Sequence, residues 1–150
     1  MKMTRQSIYE WPDYYDWTSD GLDNDTIYYT ELAKGSGGPV LELGCGTGRV
    51  TLAIAKEGIQ VVGLDQSERM LSFAKEKAIA MGLENRVEWV QANMMQFDLG
   101  RKFPLIIIPY RSFLHMTSVK EQIMTLRRIR QHLTDDGCLA FNVFVPHLMD

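Results

Sequence analysis

The sequence predicts an α/β fold, a doubly wound and mainly parallel sheet of five strands preceded by an N-terminal helical segment. Three observations carry this expectation. Apolar runs of strand length alternate with longer segments of helical period. The runs are β-branched and apolar on both faces, as strands covered by helices on either side are. A glycine run at 44–48 follows the first of them directly, at the strand end where open α/β sheets bind ligands. With 150 residues, 45% of them hydrophobic, the chain suits one domain with a real core.

The strand candidates are PVLELG (39–44), IQVVGLD (59–65), RVEWVQA (86–92), FPLIIIP (103–109) and GCLAFNVFV (137–145). Gly, Pro and Asp bound them. Pro104 stands inside the fourth, which is tolerable at a strand start. Helix candidates lie between. Thr47 to Lys56 forms a short one that Gly58 ends. After Asp65, the residues Met70, Leu71, Ala74, Ala78 and Met81 recur at helical spacing until Gly82. From Ser118, the residues Val119, Ile123, Leu126, Ile129 and Leu133 predict a helix closed by the Asp-Asp-Gly at 135–137. The order β-α-β-α-β, loop, β-α-β calls for crossover connections in one sheet. Residues 1–36 carry no strand pattern and predict two short helices rich in Tyr and Trp, capping a core of residues 37–150.

Composition narrows the function. A net charge of −3 gives no overall attraction to nucleic acid, so no nucleic-acid partner is expected. The polar, aromatic N-terminus has no apolar signal core, and no window approaches a membrane span, so no membrane partner is expected. Cys45 and Cys138 are too few for a disulfide framework and lack metal-site spacing. A cytoplasmic protein without a metal is the expectation.

The glycine run, GCGTGRV, lacks the Gly-Lys-Ser/Thr ending of a phosphate loop. Arg49 fills the place of the third glycine in the dinucleotide fingerprint. Asp65 nevertheless stands 21 residues after Gly44, at the end of the second strand, where a carboxylate accepts from ribose hydroxyls. After the third strand, Asn93 offers donors and an acceptor suited to an adenine edge, with Met94 beside it. These residues together point to an adenosine-containing cofactor.

LELGCGTGRV, VVGLDQSERML, VQANMMQFD and PLIIIPYRSFLHM, in this order, resemble the class I S-adenosylmethionine-dependent methyltransferases with a Rossmann-like core, especially the small-molecule type with an N-terminal helical cap. The resemblance implies S-adenosylmethionine as cofactor and a small-molecule methyl acceptor. It places the backbone of Gly44, Cys45 and Gly46 against the methionine part, with Glu42 supporting the loop, Asp65 on the ribose and Asn93 with Met94 on the adenine. It sets Gln66 and Met70 beside the adenosine, Pro109 and Tyr110 at the methyl group, and Tyr15 over the cofactor from the cap. Arg49 faces either the methionine carboxylate or solvent. His115 lies where an acceptor would sit, and no general base is assigned. His132 is expected at a solvated helix end. IIPYRS departs from the Asp/Asn-Pro-Pro-Tyr loop of enzymes that methylate amino groups of bases.

Family members continue past a fifth strand through a helix and two more strands, whereas this chain ends at FVPHLMD. A C-terminally truncated chain is therefore expected, with LAFNVFV as an exposed edge open to pairing with a second copy. The alternative functions are a non-catalytic cofactor-binding module or fragment, and a nicotinamide-dependent oxidoreductase, which Arg49 disfavours.

Overall fold

The computed structural model describes residues 25–109 and 116–142. The elements are α1 (Asp25–Ser36), β1 (Val40–Leu43), α2 (Arg49–Lys56), β2 (Val61–Asp65), α3 (Glu68–Ala80), β3 (Val87–Gln91), β4 (Phe103–Ile108), α4 (Val119–Gln131) and β5 (Leu133–Phe141). The strands form one sheet in the order β3-β2-β1-β4-β5, and every neighbouring pair is parallel. The doubly wound α/β expectation is met. The first of the two predicted cap helices lies outside the described residues.

Strand alternation divides the core into two layers. Val40, Val61, Val87, Leu105 and Ala140 pack on one face with Tyr29 and Ala33 of α1, Val50 and Ile54 of α2, and Ala78 of α3. Leu41, Leu43, Val62, Leu64, Ile106 and Ile108 face the other side, against Ile129 of α4 and against Phe97 and Met116. Thus α1 is a structural part of the first layer, with Tyr29 and Ala33 fully buried. Ser67 and Ser118 cap α3 and α4 by accepting from the backbone N–H groups of Met70 and Glu121.

The last helix and strand differ from expectation. α4 stops at Gln131, because Leu133 already pairs with Phe103 and the N–H of Phe103 donates to the His132 carbonyl at 2.7 Å. The register then jumps, Leu105 pairing with Cys138, so that residues 134–137 bulge out of the edge strand. The turn-like Asp-Asp-Gly is that bulge. On α4 the buried residues are Thr125 and Ile129, while Val119, Ile123 and Leu126 are exposed.

Trp89 sets the spacing between this sheet and the glycine run. A Cβ on Gly63 would lie 3.0 Å from two carbons of the Trp89 indole and 3.1 Å from Cys45 Sγ. A Cβ on Gly48, whose φ is +84°, would lie 2.8 Å from the indole. Gly48→Ala is expected to destabilise by about 2 kcal/mol or more, combining the left-handed backbone with overpacking. Gly82→Ala shares a positive φ of 69° but meets nothing within 4 Å, so it should show only the backbone part. Urea unfolding of both variants measures the difference; equal losses would mean that Trp89 yields without cost.

Candidate functional site

β2 lies on one side of β1 and β4 on the other, so the chain reverses its winding between β1 and β4. The loops leaving β1, β2 and β3 start at the C-terminal ends of these parallel strands, where such sheets place their ligand crevice. The first loop turns sharply: the N–H groups of Gly44 and Cys45 both donate to the Leu64 carbonyl, at 2.8 and 3.0 Å, and Gly48 N–H closes onto the Cys45 carbonyl at 3.0 Å. Gly44 and Gly46 take φ of 69° and 57°, values suited to glycine.

Asp65 joins this loop to the next. Its Oδ2 accepts from Gly46 N–H and its Oδ1 from Ser67 N–H, each at 2.9 Å. Ser67, and not Asp65, caps α3. Burial pushes the Asp65 pKa up, and the N–H groups of Ser67, Gly46 and Gln66 oppose the shift. Each carboxylate oxygen keeps acceptor capacity beyond these bonds. Gln66 beside it is exposed, and its carbonyl accepts from Gln91 Nε2 at 3.3 Å.

Glu42 is nearly sealed from solvent and accepts from Thr51 Oγ1 at 2.6 Å. Burial pushes its pKa up to about 8; Thr51 and Arg49 hold it down, and Asp65 and Asp25 raise it. Arg49 reaches back to α1, with Nη1 and Nη2 on the two Asp25 oxygens at 2.9 and 3.1 Å and Nη1 on Thr26 Oγ1 at 2.9 Å. Neither of its two expected orientations anticipated this bond. The hydroxyl of the fully buried Tyr29 donates to Asn142 Oδ1 past the end of β5. Burial raises the Tyr29 pKa, with Asp25 adding to it.

Other expected residues fall as follows. Asn93 Oδ1 accepts from Met95 N–H at 2.8 Å, closing an Asx turn, and Met94 packs partly buried on the second core layer. Met70 is 1% exposed, so its side chain belongs to the core and not to an open wall. Cys45 is buried and burial pushes its thiol pKa well above the usual range, which suits a packing residue and not a nucleophile. Pro109 is buried at the end of β4. Tyr15, Tyr110 and His115 lie outside the described residues. His132 is buried instead of solvated: its Nε2 accepts from Leu99 N–H at 3.0 Å, so Nδ1 carries the proton and donates to the Arg128 carbonyl at 2.6 Å. With Nε2 so engaged, Asp98 at 3.9 Å makes no ion pair with the ring.

Sequence reasoning missed Asp25, Thr26, Thr51, Tyr29 and Asn142. One signal was legible: Thr51 is a polar residue among Val50, Leu52, Ile54 and Ala55 on a buried helix, nine residues past a buried strand glutamate in need of a donor.

Residues 40–137 match the family described as methyltransferase domain. The chain belongs to the S-adenosylmethionine-dependent methyltransferases. A putative methyltransferase of Geobacillus sp. (strain WCH70) is 36% identical over 111 residues, covering 74% of this chain and 44% of that protein. The CcbJ methyltransferase of Streptomyces caelestis superposes with a TM-score of 0.74 at 32% identity, covering 80% of this chain and 52% of that one. The glycopeptide N-methyltransferase MtfA, solved with S-adenosylmethionine, superposes with a TM-score of 0.68 at 26% identity over 77% of this chain and 52% of that one. This chain therefore spans about half the length of the methyltransferases it matches.

Two outcomes test the electrostatics. Because the folded state holds the Glu42 proton more tightly than an unfolded chain does, stability should fall as pH rises from about 4.5 to about 8. Glu42→Gln should flatten that slope in urea titrations across the window, while an unchanged slope would assign it elsewhere. Arg49→Met leaves Asp25 buried and unpaired, an expected loss of about 3 kcal/mol. Hydrogen exchange of the α1 amides should accelerate in this variant; protection equal to wild type would show that the pair does not hold α1.

Proposed function

We propose that this chain forms the cofactor-binding part of an enzyme that transfers a methyl group from S-adenosylmethionine to a small-molecule acceptor by direct in-line displacement. The observation that carries the reading is Asp65 at the end of β2, hydrogen-bonded to the glycine loop and adjacent to the winding reversal of the sheet. Its environment fits the adenosine part of that cofactor: a partly buried carboxylate with remaining acceptor capacity, facing a loop whose backbone is open to close approach. No helix among the described residues is long and apolar enough to cross a membrane, and the two cysteines are free, both compatible with a cytoplasmic enzyme.

The residues of this chain have distinct tasks in the reading. Asp65 holds the ribose, Asn93 and Met94 border the adenine, and the loop from Gly44 to Gly46 receives the methionine end. Arg49, committed to Asp25 and Thr26, fixes the loop relative to α1 and need not touch the cofactor carboxylate. The bound cofactor supplies an already activated methyl group at a sulfonium centre. What remains for the protein is alignment and exclusion of water, and positioning alone contributes on the order of 7 to 11 kcal/mol to such steps. A general base is needed only for an acceptor that must lose a proton.

A small acceptor is supported by names among the relatives, including a glycine/sarcosine N-methyltransferase of Halorhodospira halochloris, 28% identical over 89% of this chain and 50% of that protein. The second reading is a binding module without turnover.

Calorimetry with S-adenosylhomocysteine and with NAD separates these readings from an oxidoreductase. The homocysteine compound should bind and NAD should not; the reverse preference would defeat both readings. Asp65→Ala should weaken cofactor binding by about 1.5 kcal/mol or more, the scale of a hydrogen bond to a charged group. Unchanged affinity would remove Asp65 from the site. Transfer of a labelled methyl group to an amine or other small metabolite supports the enzyme, and intact binding without transfer supports the module.

A further inference from the structure

The inference concerns Glu42 and rests on the methyltransferase reading above. Glu42 is 3% exposed, and Thr51 Oγ1 donates to its carboxyl at 2.6 Å. Titratable and charged groups face it from each element packed around it: Asp25 and Tyr29 on α1, Cys45 and Arg49 at the two ends of the loop, and Asp65 on β2. On β4 its register partner is the apolar Ile107. Among the described residues, three carboxyl groups thus lie near one guanidinium, and that guanidinium already meets Asp25 through both terminal nitrogens. An ionised Glu42 would add a further buried negative charge, costly to desolvate without a second cation.

We propose that Glu42 holds a proton in the cofactor-free protein and releases it to solvent when the cationic methionine end of S-adenosylmethionine docks on the 44–48 loop, so that cofactor uptake and loss of one proton are a single coupled event.

The balance is simple. The carboxylic acid becomes a carboxylate, the proton passes to buffer, and the positive charge brought by the cofactor replaces the proton's charge. No covalent bond to the cofactor forms. The Tyr29 hydroxyl and the buried Cys45 thiol do not compete for the role, because both are pushed above their usual ranges and stay protonated. Burial pushes Glu42 up to about 8, so at pH 7 the protonated form predominates in the free protein. Cofactor affinity should then rise by up to about tenfold per pH unit on approaching pH 8 and level off beyond it.

The test is titration of the whole chain with S-adenosylmethionine at pH 7 in two buffers of different ionisation enthalpy, which counts protons released. Wild type should release more protons than Glu42→Gln by close to one, the subtraction cancelling titration of the cofactor's own amine. A carboxyl ¹³C spectrum of the wild type supplies the same answer without a variant: the Glu42 resonance should move from the protonated to the ionised position when cofactor is added at pH 7. Equal proton counts for the two proteins, or a Glu42 carboxyl already ionised before cofactor is added, would overturn the proposal. Absence of any binding to wild type would overturn the methyltransferase reading and this proposal with it, whereas binding with equal counts would leave that reading standing.

Discussion

The indole of Trp89 occupies the space that side chains at Gly48 and Gly63 would need, and the geometry of the site follows from that contact. Gly63 lies on β2 and Gly48 at the start of α2, so one ring on β3 sets how closely the glycine loop approaches the sheet. With the loop held at that distance, Gly46 N–H comes within 2.9 Å of Asp65 on the neighbouring strand. Interiors are packed too densely for such a distance to change without cost. The position of the Asp65 carboxylate is therefore linked, through backbone and ring, to an apolar contact one strand away.

The electrostatic arrangement depends on the same loop. Arg49 is the first residue of α2, and its fork meets Asp25 and Thr26 on α1. A buried ion pair is weak evidence of stability, since the desolvation of both partners offsets their attraction. Its consequence is geometric: a bidentate guanidinium bond has little angular freedom and fixes α1 against the loop. Tyr29 adds a second tie, from the middle of α1 to Asn142 beyond β5. Glu42 lies on β1 near Asp25 and Tyr29 of α1, and Thr51 of α2 donates to its carboxyl.

Much of this architecture was legible in the sequence. The five strands, three of the helices and their stops at Gly58 and Gly82 follow from apolar period and glycine placement, and the Asp65 position follows from its distance to the glycine run. What was not legible depends on contacts across layers. The α4 period marks an apolar face but not which layer covers it: Val119, Ile123 and Leu126 are exposed, while Thr125 and Ile129 are buried. Residues 134–137 have the composition of a turn and form a bulge because Phe103 has already claimed Leu133 as its partner. His132 reads as a helix-end cation, yet the Leu99 N–H, distant in sequence, and the Arg128 carbonyl one turn back on α4 enclose its ring.

The glycine run itself shows why a motif is more than a ligand signature. Gly46 contributes an N–H to Asp65, and Gly44 turns the chain through its bond to the Leu64 carbonyl, so these two serve the crevice. Gly48 serves the Trp89 ring, Cys45 fills the space beside Gly63, and Arg49 serves α1. In a dinucleotide fingerprint the third glycine allows close packing of helix against strand. Here Gly48 meets that packing demand one residue earlier, which leaves the next position able to carry a long side chain. The absence of a third dinucleotide glycine is thus no loss of packing. It reflects a loop in which the packing glycine has moved forward and the vacated position ties the N-terminal helix to the site.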